Sequence, residues 1–105
     1  MGKSKKGITK EKEQNKIVKN YSVLLSKTAA KFLKKVPGKV LHTINERIEA
    51  LGHEPHPYYS QQLVGHKGLF KIRVGEYRII YTVKNELLQV LVIDIEHRSK
   101  VYKNL

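Results

Sequence analysis

Two runs of alternating apolar and polar residues meet at a glycine in the second half of the chain. Residues 70–74 and 77–83 alternate with a period of two, which is typical of strands that have one covered face. Gly75 stands between the runs and supplies the positive φ that a two-residue turn requires. The pattern therefore predicts a tight β-hairpin in which Arg73 lies directly opposite Arg78.

This register divides the hairpin into an apolar face and a basic face. The apolar face collects Phe70, Ile72, Val74, Tyr77, Ile79, Tyr81 and Val83. The opposite face collects Leu69, Lys71, Arg73, Arg78, Ile80 and Thr82. Two arginines that face each other beside a lysine repel in an isolated hairpin. The register thus indicates a site that binds an anion.

Periodicity and turn signals define the elements on both sides of the hairpin. In chain order they are a strand at 21–25, a helix that Ser26 caps, a break at Pro37-Gly38, a helix at 39–51 that ends before Gly52, and a strand at 87–95. The order β-α-α-β-β-β predicts an α+β fold, with a two-helix hairpin on one face of a small, mainly antiparallel four-stranded sheet. The other face is expected to be open and to carry the basic residues of the hairpin.

Length and charge narrow the possible functions. The 105 residues suffice for one domain, and the absence of cysteine excludes a disulfide framework and thiolate metal sites. Residues 1–20 carry seven lysines and two glutamates and are expected to form a flexible basic arm, whereas residues 21–105 form the folded domain. The net charge of +12 favours a polyanionic partner, and the sequence predicts neither a membrane segment nor a signal peptide, which makes the cytoplasm the expected location.

Two groups of residues are candidates for chemistry. The basic cluster comprises Lys67, Lys71, Arg73, Arg78, Arg98, Lys100 and Lys103. Such cations neutralise phosphates, although a solvated basic face would have the same composition. His97 and Tyr102 are candidates for proton transfer, with the alternative that they only end a strand and pack the C-terminus. His53 and His56 have no further ligand set, so no metal is expected.

Three segments resemble the RelE/ParE toxin superfamily, in particular its RelE-like branch. They are residues 63–65, residues 70–81 and residues 97–102, and the resemblance extends over residues 21–105. It implies a toxin of a type II toxin-antitoxin system that enters the ribosomal A site and cuts mRNA. In this family the 2′-OH attacks the adjacent phosphate without a metal or other cofactor, which leaves a 2′,3′-cyclic phosphate and a 5′-OH.

The resemblance also implies roles for individual residues. Lys71 and Arg73 match basic positions that bind the scissile phosphate and activate the reacting groups around it. Arg78 matches the arginine that stabilises the phosphorane. Tyr102 matches the tyrosine proposed to take the 2′-OH proton. The resemblance does not identify the residue that acts on the leaving 5′-oxygen, because Glu96 occupies a position that is usually basic. Arg98 or His97 is expected to act there instead. Lys67, Lys100 and Lys103 are expected to contact mRNA or ribosomal RNA.

The resemblance implies a cognate antitoxin and a 70S-type ribosome with mRNA in the A site as partners. The free toxin is expected to be monomeric, with a higher-order complex possible once antitoxin binds. Two alternatives remain at this point: a ParE-like toxin that binds DNA gyrase, and a non-catalytic module that binds RNA or the ribosome. Lys71, Arg73, Arg78 and Tyr102 together favour the RNA-cutting branch.

Overall fold

The protein builds one mixed sheet and covers one face of it with helices. The computed structural model describes residues 20–99. Within that range the elements are β1 (Ser22–Leu25), α1 (Lys27–Leu33), α2 (Gly38–His53), β2 (Gln61–Gln62), β3 (Phe70–Val74), β4 (Tyr77–Lys84), a 3-10 turn (Asn85–Leu87) and β5 (Gln89–His97). The strand order is β1-β5-β4-β3-β2, with β1 parallel to β5 and the other neighbours antiparallel. The predicted α+β fold is confirmed.

The sheet contains five strands in the described part of the chain, so the prediction of four strands was wrong. The additional strand, β2, has only two residues, and Gln61 and Gln62 pair with Lys71 and Phe70 of β3. Two glutamines have no apolar alternation for a sequence pattern to detect. Their strand exists because the edge of β3 offers backbone partners.

Helix α1 begins where the sequence predicts. The Ser26 hydroxyl accepts a hydrogen bond from the Ala29 amide at 3.0 Å, which caps the helix, and donates one to the Ile93 carbonyl at 2.6 Å. One side chain therefore both starts α1 and ties it to β5.

Over residues 20–99, no helix is long and apolar enough to cross a membrane.

Helix α2 continues through Gly52 to His53, which corrects the prediction that it ends before the glycine. A Cβ at position 52 would lie 2.9 Å from the Tyr21 carbonyl oxygen and 3.1 Å from Val23 Cγ2. The Tyr21 amide also donates to the Gly52 carbonyl at 2.8 Å. Glycine is needed here because the β1 backbone approaches the helix closely, not because the helix ends.

The core lies between the helices and the apolar face of the sheet, as the alternation predicts. Its buried members are Ala29, Leu33, Val36, Ile44, Ile48, Leu51, Ile72, Val74, Ile79, Tyr81, Val90, Val92 and Ile95. Tyr81 is fully buried, and its hydroxyl donates to the Pro55 carbonyl at 2.7 Å. Burial raises the pKa of the Tyr81 phenol. The hairpin's inward face is therefore fixed by packing, which also fixes the direction of its outward face.

Candidate anion-binding site

The β3–β4 hairpin has the register that the sequence predicts. Arg73 pairs with Arg78, Ile72 with Ile79, and the turn between the strands contains Gly75 at a φ of 59°. Because Ile72 and Ile79 point into the core, the two arginines point to the face of the sheet opposite α1 and α2. Lys71, Arg73 and Arg78 form what we call the basic site.

The charges of the basic site act on one another. Arg73 is exposed, whereas Lys71 and Arg78 are half-buried by their neighbours. Burial lowers the pKa of the Lys71 ammonium, and the positive charges of Arg73 and Arg78 lower it further. The site is thus a place where an anion would relieve repulsion among three cations.

Glu96 is the residue of the site that sequence reasoning did not assign to it. It pairs with Arg78 across β4 and β5, and its Oε1 lies 2.6 Å from Arg78 Nη2. The Arg78 and Glu96 side chains are 25% and 17% exposed, so water screens the pair only partly. Arg78 Nε is buried and has no hydrogen-bond partner among residues 20–99. Most of the guanidinium is therefore already engaged or covered.

His97 and Arg78 lie on opposite faces of the sheet. His97 pairs with Tyr77 across the ladder, and the two rings meet edge to face with centroids 5.0 Å apart. His97 Nε2 lies 3.3 Å from a Glu76 carboxylate oxygen, and Nδ1 lies 2.9 Å from the Ser99 hydroxyl. The structure does not bring the imidazole together with the basic site.

The remaining site candidates fall into two groups. Arg98 follows β5, and its amide donates to the Glu76 carbonyl at 2.8 Å, which holds the end of β5 beside the hairpin turn. Lys67 is exposed in the loop before β3. Three further candidates lie outside the described residues: Tyr102, Lys100 and Lys103. In residues 20–99, no group of three or more His, Cys, Asp or Glu side chains could hold a metal ion.

A second basic surface lies on the helical side of the sheet. It consists of Lys27, Lys31, Lys34 and Lys35, all of which are exposed. Lys27 and Lys31 lie on the face of α1 opposite the buried Ala29 and Leu33, and Lys34 and Lys35 directly follow the helix. The sequence contains no acidic residue between positions 20 and 45. The spacing at i, i+4, i+7 and i+8 was the signal for this surface. Positive charge is therefore present on both sides of the sheet.

Comparison with known proteins gives the family. A family model described as the ParE toxin of the type II toxin-antitoxin system parDE matches residues 23–102. Over 84 residues the chain is 29% identical to toxin RelG of Mycobacterium tuberculosis, covering 79% of this chain and 97% of that toxin.

Solved structures agree with that match. The fold is similar to the archaeal RelE-RelB complex from Pyrococcus horikoshii, with a TM-score of 0.68, 26% identity, and coverage of 77% of this chain and 98% of that chain. It is equally similar to the RelBE2 toxin-antitoxin complex of Mycobacterium tuberculosis, with a TM-score of 0.68, 29% identity, and coverage of 82% and 99%. The chain therefore belongs to the ParE toxin family of type II toxin-antitoxin systems, within the RelE/ParE superfamily that its sequence motifs resemble.

Proposed function

We propose that the protein is a ribosome-dependent endoribonuclease that cuts mRNA in the A site. The observation that carries the proposal is the basic site, in which Lys71, Arg73 and Arg78 share the face of the sheet opposite α1 and α2. In the reaction the 2′-oxygen attacks the adjacent phosphorus, the bond to the 5′-oxygen breaks, and charge accumulates on the phosphorane oxygens. Fixed cations stabilise such charge more than they stabilise the ground state.

The three cations divide the work according to their chemistry. Arg78 is the candidate for stabilising the phosphorane, and Arg73 and Lys71 are the candidates for holding the scissile phosphate. Arginine remains protonated at neutral pH, so these contacts supply charge rather than a base. For proton transfer we propose that Tyr102 accepts the proton of the 2′-OH and that the leaving 5′-oxygen takes its proton from water. Arg98 is proposed to stabilise the negative charge on that oxygen, since a guanidinium does not give up its own proton at neutral pH. His97, which packs on Tyr77, is given neither role.

The charge of the whole domain suits a ribosomal setting. The lysines of the second basic surface lie on the other side of the sheet from the basic site, where they are suited to ribosomal RNA phosphates while the basic site holds mRNA. Lys67, Lys100 and Lys103 are proposed to add to these contacts. The cytoplasm is the corresponding location.

A cognate antitoxin is the second proposed partner. The similar structures from Pyrococcus horikoshii and Mycobacterium tuberculosis are toxin-antitoxin complexes. An acidic or amphipathic antitoxin segment that covers the basic site would keep the toxin inactive. We propose that the free toxin is a monomer and that larger complexes form with antitoxin.

Primer extension on a translated mRNA tests the proposed function. Wild-type protein is expected to produce new 5′ ends within codons, and only when ribosomes are present. Arg78→Ala is expected to lower cleavage by at least about 100-fold, the size of losing one group that stabilises a transition-state oxyanion. Arg47→Ala is the matched control, because Arg47 lies on α2 and stacks on the Tyr59 ring at 5.4 Å.

Three results would contradict the proposal in whole or in part. Unchanged cleavage by the Arg78→Ala variant would show that the basic site takes no part in the reaction. Intact mRNA together with inhibited DNA supercoiling would support the gyrase-binding alternative, and salt-sensitive RNA binding without cleavage would support a binding module.

A further inference from the structure

We propose that Glu96 is a specificity-determining residue, which competes with the substrate phosphate for Arg78. In the free toxin the Glu96 carboxylate is bound to the Arg78 guanidinium. Arg78 becomes available only to a phosphate that other contacts hold in place long enough to displace Glu96. This inference rests on the proposed function in one respect, namely that the phosphate belongs to RNA.

The backbone fixes Arg78 and Glu96 opposite each other. They pair across β4 and β5, and the next pair along the ladder, Ile79 with Ile95, is buried in the core. Neither strand can slide without moving that buried pair. The sheet therefore keeps the two side chains within reach of each other, and they meet with Oε1 2.6 Å from Nη2.

The guanidinium leaves little room for a second anion. A phosphate that is held by two parallel hydrogen bonds uses either Nε with Nη2 or Nη1 with Nη2. Nε is buried, and Nη2 already lies against the Glu96 carboxylate. A phosphate on the Nη1 side would lie beside that negative charge. Full engagement of Arg78 by phosphate thus requires the carboxylate to move away.

The competition explains how one arginine distinguishes among phosphates. An isolated phosphate that replaces Glu96 exchanges one anion for another and gains little. A phosphate that Arg73 and Lys71 also bind, and that a ribosome holds in position, gains contacts that the carboxylate cannot make. Glu96 would therefore discriminate against free RNA in favour of positioned mRNA.

Glu76 provides a matched comparison for Glu96. Both are glutamates at the same end of the hairpin, and each carries one negative charge. The Glu76 carboxylate, however, contacts His97 at 3.3 Å, on the other side of the sheet from Arg78. Replacing either glutamate with glutamine raises the net charge by one, but only the change at position 96 removes the negative charge beside Arg78.

The test measures binding of a short 2′-O-methyl oligoribonucleotide, which cannot be cleaved because its 2′-oxygens are blocked. At constant ionic strength, Glu96→Gln is expected to lower the Kd about fivefold, which corresponds to about 1 kcal/mol. Glu76→Gln is expected to change the Kd less than about twofold. In an Arg78→Ala background, Glu96→Gln should have no greater effect than Glu76→Gln, because the coupling passes through Arg78.

Two outcomes would overturn the inference. Equal tightening by Glu96→Gln and Glu76→Gln would show an effect of net charge alone. Weaker binding by Glu96→Gln would show that the carboxylate positions Arg78 for RNA instead of withholding it. Thermal melting verifies that each variant is folded, and Glu96→Asp, which withdraws the carboxylate by one methylene, replaces Glu96→Gln if that variant does not fold.

The binding assay separates this inference from the proposed function. Tighter binding by Glu96→Gln in a protein that cuts no mRNA would support the competition and reject the nuclease. Ribosome-dependent cleavage together with equal Kd values for the two glutamine variants would support the nuclease and reject the competition.

Discussion

Arg73 and Arg78 lie directly opposite each other on β3 and β4, with their side chains on the face of the sheet opposite α1 and α2. Like charges at such a pair destabilise an antiparallel ladder. Glu96 offsets the charge of Arg78 from the other neighbouring strand, but Arg73 remains exposed beside Lys71. The sheet therefore carries an unfavourable pair at the place where an anion would make it favourable.

Replacing Arg73 with glutamate is expected to stabilise the fold and weaken the function. The change converts a repulsive cross-strand pair into an attractive one, which should raise the free energy of unfolding by about 0.5–1 kcal/mol. The same change places a carboxylate where the scissile phosphate would bind, so cleavage should fall at least about tenfold. Urea denaturation and primer extension measure the two effects.

Lys67→Glu is the control for Arg73→Glu. It makes the same change in charge in an exposed loop outside the β3–β4 ladder. Stability should then stay within about 0.5 kcal/mol of wild type. If Lys67→Glu stabilised the protein as much as Arg73→Glu, net charge and not the cross-strand pair would be the cause.

The pKa of Lys71 should report on its two arginine neighbours. Arg73→Ala is expected to raise the Lys71 pKa towards its ordinary value, because one of the charges that lower it is removed. An NMR titration of the lysine side-chain carbons measures this pKa. Arg47→Ala on α2 should leave it unchanged, and an unchanged value in Arg73→Ala would contradict the proposed electrostatics of the basic site.

The lowered pKa of Lys71 has a corresponding effect on stability. Between the folded and the unfolded pKa, the unfolded chain binds more protons at this lysine than the folded protein does. The contribution of Lys71 to the free energy of unfolding therefore rises as the pH increases through that interval. Arg73→Ala brings the folded pKa of Lys71 closer to its unfolded pKa. The rise in the free energy of unfolding at alkaline pH should therefore be smaller in the variant than in the wild-type protein.

Sequence pattern was sufficient for the hairpin and its basic face, because both follow from a period of two and one turn glycine. It was not sufficient for β5. Leu87 belongs to a 3-10 turn, Leu88 has a φ of 51°, and β5 begins at Gln89. The pairing of β4 with β5 also shifts between Ile80 and Tyr81. The alternation of apolar and polar residues gives no information on that shift in register. The contact between Arg78 and Glu96 could therefore not be predicted.

The short β2 and the extent of α2 were missed for a similar reason. Each involves a neighbouring backbone: β3 pairs with Gln61 and Gln62, and the Tyr21 amide donates to the Gly52 carbonyl in the last turn of α2. Residue-level signals predicted well where a side chain determines the local structure, as Ser26 does at the start of α1. They failed where the contact partner is distant in sequence.

Ser26→Ala should destabilise the protein by about 1–2 kcal/mol. The variant loses the cap on α1 and leaves the Ile93 carbonyl without the hydroxyl that now lies 2.6 Å away. Thr82→Val is the comparison, since the Thr82 hydroxyl donates to the Gly68 carbonyl at 2.8 Å in an exposed hydrogen bond that does not cap a helix. Chemical denaturation should show the larger loss for Ser26→Ala, and equal losses would mean that the link between α1 and β5 adds nothing.

A pair of glycine substitutions tests why α2 contains Gly52. Gly52→Ala would bring a methyl group to 2.9 Å from the Tyr21 carbonyl oxygen, and the backbone that leads into β1 must shift to admit it. We expect a loss of about 1–3 kcal/mol in the free energy of unfolding. Gly38→Ala changes the first residue of the same helix, where the new methyl group meets no atom within 4 Å among the described residues.

The two glycine variants should therefore move in opposite directions. Gly38→Ala is expected to stabilise the protein by about 0.4–1 kcal/mol, because alanine restricts the unfolded chain at a position that it can adopt without strain. Chemical denaturation of both variants gives the comparison. Stabilisation by both would show that β1 yields to a methyl group at no cost, and that the glycine does not determine the approach of β1 to α2.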